Sequence, residues 1–152
     1  MPDRIEQETT IAAPIERVWD VLTTAEHIGS WFSDAGADVD LRPGGTVVLR
    51  WEEHGTAVCR LERVEPPRAL TWRWAASDAP EPQGEPVPGQ STLVEFTLAE
   101  VDGGTLLRVV ESGFEALDAR SAEQRAFLYE GNVEGWEIQL GRIGRYATGA
   151  PV

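Results

Sequence analysis

The chain contains no lysine, one cysteine, two histidines and no apolar run long enough to span a membrane. Without a lysine amine, Schiff-base chemistry at a side chain is excluded. A single cysteine, Cys59, excludes an internal disulfide framework and any metal site built from several thiolates. Because His27 and His54 stand in no metal-binding spacing, we expect neither a metal ion nor a cofactor.

Positive charge is also scarce. The chain has 13 basic residues, all of them arginine, against 26 acidic residues, and its formal net charge is −13. Nucleic-acid binding requires a cationic surface, and an anionic membrane repels a protein of this charge. We therefore expect no nucleic-acid partner and no membrane partner. Residues 1–10 are too charged for a secretory signal, so the sequence predicts a cytoplasmic protein.

The length and composition are typical of one globular domain, which we expect to cover residues 1–152. Hydrophobic periodicity predicts a strand at 4–12, a helix beginning after Pro14, a second helix at 26–31 and a long helix at 119–147. About six antiparallel strands are expected between the helices, near residues 39–41, 46–53, 56–64, 70–74, 94–98 and 107–111.

This order of elements predicts an α+β fold with helices on one face of an antiparallel sheet. One long helix covers only part of a large curved sheet, so we expect a cavity lined by apolar and aromatic side chains between them. Residues 76–90 contain four prolines and two glycines and predict a long loop. We expect this loop and the Trp31–Phe32 region to border the mouth of the cavity.

Four segments of the chain resemble one known family. They are TTIAAPIERVWDVLTTAEHIGSWF (9–32), GTAVCRLERVEPPRALTWRW (55–74), STLVEFTLAEVDGGTLLRVVESGFE (91–115) and NVEGWEIQLGRIGRY (132–146). Their order resembles that of START-like, helix-grip proteins of the SRPBCC superfamily, most closely the bacterial homologues of the activator of a heat-shock chaperone's ATPase. The resemblance implies a curved antiparallel sheet wrapped around the long C-terminal helix. Relatives often carry histidine where Glu111 and Asn132 stand here.

The candidate ligand-binding residues are the side chains that the pattern directs inward. They are Trp31, Phe32, Trp51, Trp72, Trp74, Phe96, Glu111, Tyr129, Asn132, Trp136 and Leu140. The chain has six tryptophans, whose indoles fit either core packing or the wall of a ligand pocket, and an indole can serve both purposes.

Three of these candidates are polar. Glu111 ends a strand whose inward residues are apolar, so it is a candidate acid/base or ligand-binding group, unless it reaches solvent or pairs with an arginine. Tyr129 and Asn132 are expected to project from the long helix into the same interior. Asn132 then either binds a ligand carbonyl or hydroxyl or anchors a loop. Cys59 lies in mid-strand and is expected to be a buried structural thiol.

Four glycines fall within the long helix: Gly131, Gly135, Gly141 and Gly144. Each costs up to about 1 kcal/mol relative to alanine. Close approach to the sheet, room for a ligand and a bend over the cavity are alternative explanations.

The sequence supports three hypotheses for function. The first is a binding protein for a small hydrophobic or aromatic ligand, because no strong catalytic constellation is present. The second is a cyclase or hydrolase in which Glu111 acts in the cavity. The third, implied by the resemblance, is a co-regulator of a chaperone ATPase. Taken together, these hypotheses predict a small hydrophobic ligand as the partner, with a chaperone or a second copy of the chain as further possible partners.

Overall fold

A computed structural model describes residues 3–78, 84–118 and 120–150. In chain order the elements are β1 (Arg4–Ile11), α1 (Ile15–Thr23), α2 (Ala25–Trp31), β2 (Ala37–Val39), β3 (Thr46–Trp51), β4 (Gly55–Glu65), β5 (Ala69–Ala75), β6 (Ser91–Val101), β7 (Gly104–Ser112), a 3-10 helix (Phe114–Ala116) and α3 (Ala122–Ala147). The predicted α+β fold, with two short helices early and one long helix late, is confirmed.

The seven strands form one antiparallel sheet in the order β1-β7-β6-β5-β4-β3-β2. The last strand, β7, therefore pairs with the first strand, β1. The helices α1 and α2 connect β1 to β2, which lies at the opposite edge of the sheet. The register of β4 and β5 shifts between Leu61 and Arg63. A bulge of this kind bends a strand and increases its twist, which favours a curved sheet.

The long helix α3 begins later than residue 119 because Ser121 caps it. The Ser121 hydroxyl accepts a hydrogen bond from the Gln124 amide at 3.1 Å, and the Gln124 side chain accepts one from the Ser121 amide at 2.8 Å. This reciprocal pair satisfies two of the free N–H groups at the helix start. From there α3 packs against β1, α1 and α2, and it buries Trp136, Leu140 and Ile143.

The proline-rich segment falls only partly within the described structure. Residues 76–78 and 84–90 form no helix or strand, as predicted, whereas residues 79–83 lie outside the described residues. Glu85 forms an ion pair with Arg60 on β4 at 2.5 Å. No helix among the described residues is long and apolar enough to cross a membrane.

Candidate ligand-binding site

Glu111, near the end of β7, is completely buried and accepts four side-chain hydrogen bonds. Oε1 accepts from Asn132 Nδ2 at 3.0 Å and from Trp136 Nε1 at 2.9 Å. Oε2 accepts from Trp74 Nε1 at 3.0 Å and from the Thr92 hydroxyl at 2.6 Å. The four donors come from β5, β6 and α3, so one carboxylate connects the sheet to the long helix.

Strand register and helical spacing bring these donors together. Trp74 lies opposite Thr92 in the β5–β6 pair, and Glu111 lies opposite Val94 on the other side of β6. On α3, Asn132 and Trp136 are four residues apart and therefore lie on one helix face, about one turn apart. The long helix consequently presents two N–H donors to the carboxylate from the side that the sheet leaves open.

The buried charge of Glu111 has no cationic partner among the described residues. The ion pairs there involve other carboxylates, most of them substantially exposed. Burying an ionised carboxylate is costly unless hydrogen bonds replace its water. A carboxylate offers about four lone-pair sites, and the four donors match that number. The site holds Glu111 by hydrogen bonding alone.

Next to this cluster lies a cavity of about 500 Å³ between the sheet and α3. Phe32, Trp51 and Trp74 form its aromatic wall, and Thr92, Leu128 and Asn132 also line it. The exposed residues His54 and Ser77 lie at its mouth. Its volume falls within the range of about 300–1,000 Å³ that small-molecule sites occupy.

A second cavity of about 120 Å³ adjoins the first, because Phe32, Trp74 and Asn132 line both. Gly135, Trp136 and Gln139 complete its lining. A Cβ atom added at Gly135 would meet nothing within 4 Å, whereas one at Gly144 would lie 3.8 Å from Ile11 of β1. Of the alternatives for the helix glycines, open space next to the helix therefore explains Gly135. Gly144 instead lies where the helix packs against the sheet.

The aromatic wall is held in place by contacts between rings and by hydrogen bonds. Phe32 stacks on Trp31, with centroids 4.9 Å apart, and meets Trp51 edge-on at 5.5 Å. Trp51 Nε1 donates to the Phe32 carbonyl at 3.2 Å. On the opposite side, Trp74 stacks on Trp136 at 5.9 Å. Rings fixed in this way form a wall that exists before any ligand arrives.

The structure brings five of the predicted site residues to the two cavities: Phe32, Trp51, Trp74, Asn132 and Trp136. Five more lie behind the cavity wall, where they are buried: Trp31, Trp72, Phe96, Glu111 and Leu140. Some tryptophans therefore pack in the core and others line the cavity, which are the two roles that the sequence allowed. Trp72 belongs to the packed core, whereas Trp51 and Trp74 are only partly buried and face the larger cavity.

The prediction that Tyr129 shares an interior with Asn132 is wrong. The Tyr129 hydroxyl donates to the Arg4 carbonyl at 3.1 Å, and its ring packs edge-on against Phe114 at 5.4 Å. Residues three apart on a helix differ by about 60° around its axis. This rotation directs Tyr129 towards β1 and Asn132 towards Glu111.

Sequence reasoning missed several lining residues. Thr92 alternates with Val94 and Phe96 on the inward face of β6, so strand periodicity alone would have identified it. Gln139 lies seven residues after Asn132 on α3, two turns along the same face. His54 is exposed in a turn, as expected, yet it also borders the cavity mouth.

The remaining candidate groups offer no reactive centre. Cys59 is fully buried, and burial raises the pKa of its thiol far above its ordinary value. A thiol in that state is a poor nucleophile. Within residues 3–78, 84–118 and 120–150, no group of three or more His, Cys, Asp or Glu side chains is placed to hold a metal ion.

Comparison with known proteins agrees with this architecture. Residues 12–148 match the sequence model of the family described as "Activator of Hsp90 ATPase homolog 1-like protein". No curated protein matches the chain. Protein MLL2253 from Mesorhizobium loti superposes with a TM-score of 0.75 at 24% identity, covering 98% of this chain and 99% of that one.

Two further solved structures share the fold. DynU16, a protein in the dynemicin biosynthetic locus, has a TM-score of 0.74 at 24% identity over 99% of this chain. This chain covers 49% of DynU16 and so spans about half its length. The Aha1 dimer from Colwellia psychrerythraea has a TM-score of 0.69 at 19% identity, covering 93% of each chain.

Replacing Glu111 by glutamine tests the role of the buried carboxylate. Each carboxylate oxygen accepts from two donors, so the new NH₂ group must face two donors at either end. Leaving buried donors unsatisfied costs about 1–3 kcal/mol. We expect the free energy of unfolding, measured by urea denaturation, to fall by about that amount. Glu95→Gln, on the neighbouring strand, is the control and should change it by less than about 0.5 kcal/mol. Equal stability of Glu111→Gln and the parent would contradict this role.

Proposed function

We propose that this chain, which belongs to the Activator of Hsp90 ATPase homolog 1-like family, binds a small, uncharged aromatic or hydrophobic ligand. The supporting observation is the pair of half-buried indoles, Trp51 and Trp74, that face a cavity of about 500 Å³ instead of a filled core. Burial of apolar ligand surface is favourable by about 25 cal/mol per Å². The ligand would lie against these rings and against Phe32.

The charge of the protein favours an uncharged ligand over an anionic one. The net charge is −13, and the Glu111 carboxylate lies directly behind the cavity wall formed by Trp74, Thr92 and Asn132. An anion in the cavity would be repelled by both. A neutral aromatic molecule loses no such energy and gains contact with the indoles.

A reaction catalysed by Glu111 has less support than binding. Each of its oxygens already accepts two hydrogen bonds, and Glu111 does not line either cavity. A general acid or base must come within hydrogen-bonding reach of the proton that it transfers. In this arrangement Glu111 orients the side chains that face the ligand.

The Trp51→Ala variant tests the aromatic wall. We expect its dissociation constant for 2-methoxynaphthalene, measured by equilibrium dialysis, to rise about tenfold or more, since loss of an aromatic contact costs about 1.5–3 kcal/mol. Phe127→Ala is the matched control because Phe127 is 78% exposed on the outer face of α3. Absence of binding of both 2-methoxynaphthalene and 2-naphthol by the parent, or equal binding by Trp51→Ala and the parent, would refute the proposal.

The Gly135→Leu variant tests the use of the smaller cavity. A leucine side chain at this position would enter space that is now open and lined by Trp136 and Gln139. We expect binding of 2-naphthol to weaken at least about fivefold while the helix content, measured by circular dichroism, is retained. Gly131→Leu is the control, because Gly131 is exposed on the same helix and outside both cavities. If the two variants bind 2-naphthol with equal affinity, the smaller cavity is not part of the binding site.

A second candidate function is regulation of a chaperone ATPase, to which the family description points. Phe127 and Ile138 on α3 are 78% and 52% exposed. They are eleven residues apart, about three helical turns, and so lie on one outward face. An interaction site on this face of α3 would use these two side chains.

Binding to a purified Hsp90-type chaperone tests this second candidate. If the α3 face is used, the double variant Phe127→Ser/Ile138→Ser should lose stimulation of the chaperone's ATPase, whereas Trp51→Ala should keep it. Neither binding nor stimulation by the parent at micromolar concentration would exclude this function and leave the cavity proposal intact.

A further inference from the structure

The side chains around Glu111 use their hydrogen-bond donors on its carboxylate. Trp74, Trp136 and Thr92 all direct their N–H or O–H groups at the carboxylate. These donors are therefore occupied, although Trp74 and Thr92 line the larger cavity and Trp136 the smaller one. Near Glu111, a ligand can therefore pair only with polar atoms that are not already hydrogen-bonded to the carboxylate.

Glu111 also determines how the Asn132 amide is oriented. A carboxylate only accepts hydrogen bonds, so the Asn132 NH₂ group must point to Glu111, as its distance of 3.0 Å shows. The amide oxygen, Oδ1, points away from Glu111 and accepts no hydrogen bond from any described residue. Because Asn132 lines both cavities, this oxygen is an acceptor at their junction.

Gln139 places a second polar side chain on the same face of α3. Its Oε1 is buried and has no hydrogen-bond partner among the described residues, and Gln139 lines the smaller cavity. Asn132 and Gln139 therefore both border a volume of about 120 Å³, which exceeds the ~30 Å³ that one water molecule occupies in the liquid.

From this arrangement we propose that the smaller cavity selects a ligand with a hydroxyl or N–H donor, which enters between Asn132 and Gln139 while the aromatic body occupies the larger cavity. This inference rests on the proposed ligand-binding function and adds the polarity of the ligand to it. The buried negative charge of Glu111 strengthens the preference, because its field favours the positive end of an O–H or N–H bond. A ligand with only acceptor atoms would leave Asn132 Oδ1 unpaired.

The test compares 2-naphthol, which carries a donor, with 2-methoxynaphthalene, which has an oxygen but no donor. Both are uncharged at pH 7, and transfer from water alone favours the methoxy compound because it has no O–H group to desolvate. We expect the parent protein to bind 2-naphthol about three- to tenfold more tightly, as one net hydrogen bond allows. Equal affinities, or tighter binding of 2-methoxynaphthalene, would overturn the inference while supporting the binding function. Binding of neither compound would refute the function itself.

Two variants locate the preference. Gln139→Leu leaves all four hydrogen bonds of Glu111 in place, whereas Asn132→Leu removes one of them and must first be shown to fold by circular dichroism. We expect at least one of the two to reduce the preference for 2-naphthol over 2-methoxynaphthalene to about one. A preference that persists in both folded variants would place the donor elsewhere and overturn the assignment. Should Asn132→Leu fail to fold, persistence of the preference in Gln139→Leu overturns the assignment.

Discussion

The carboxylate of Glu111 is fully buried and pairs with no arginine among the described residues, so its burial is tolerable only while all four donors stay in place. Those donors lie on β5, β6 and α3. The requirement to keep them together therefore sets the position of the long helix over the sheet. A helix shifted by one turn would remove Asn132 and Trp136 from the carboxylate and leave a charge buried with half of its partners.

The same constraint shapes the cavities. Trp74 and Trp136 are held by the carboxylate at one edge of their indole rings and stack on each other, which makes them fixed parts of the wall. Gly135 lies one residue before Trp136 and contributes no side chain, so the space beside the indole stays open. A glycine inside a helix costs up to about 1 kcal/mol, and here it coincides with a second cavity that any larger residue would reduce.

The family and its neighbours share the sheet-and-helix framework at low sequence identity. One fold can serve many functions, because function depends on the side chains grafted on it. In this chain those side chains are a buried acid that consumes the local donors and an asparagine whose oxygen is left facing the cavities.

The order of the elements and most of the inward-facing residues can be predicted from the sequence, because periodicity of 2 or 3.6 residues is a local property of the chain. The seven strands, the long helix and the cavity-facing residues Phe32, Trp51 and Trp74 follow from it. Only the tertiary structure decided that four donors converge on Glu111 and that Tyr129 faces β1 instead of Asn132's interior. Those outcomes depend on strand register and on the rotation of α3 about its axis, which arise from contacts between residues far apart in the chain and leave no periodic pattern in the sequence.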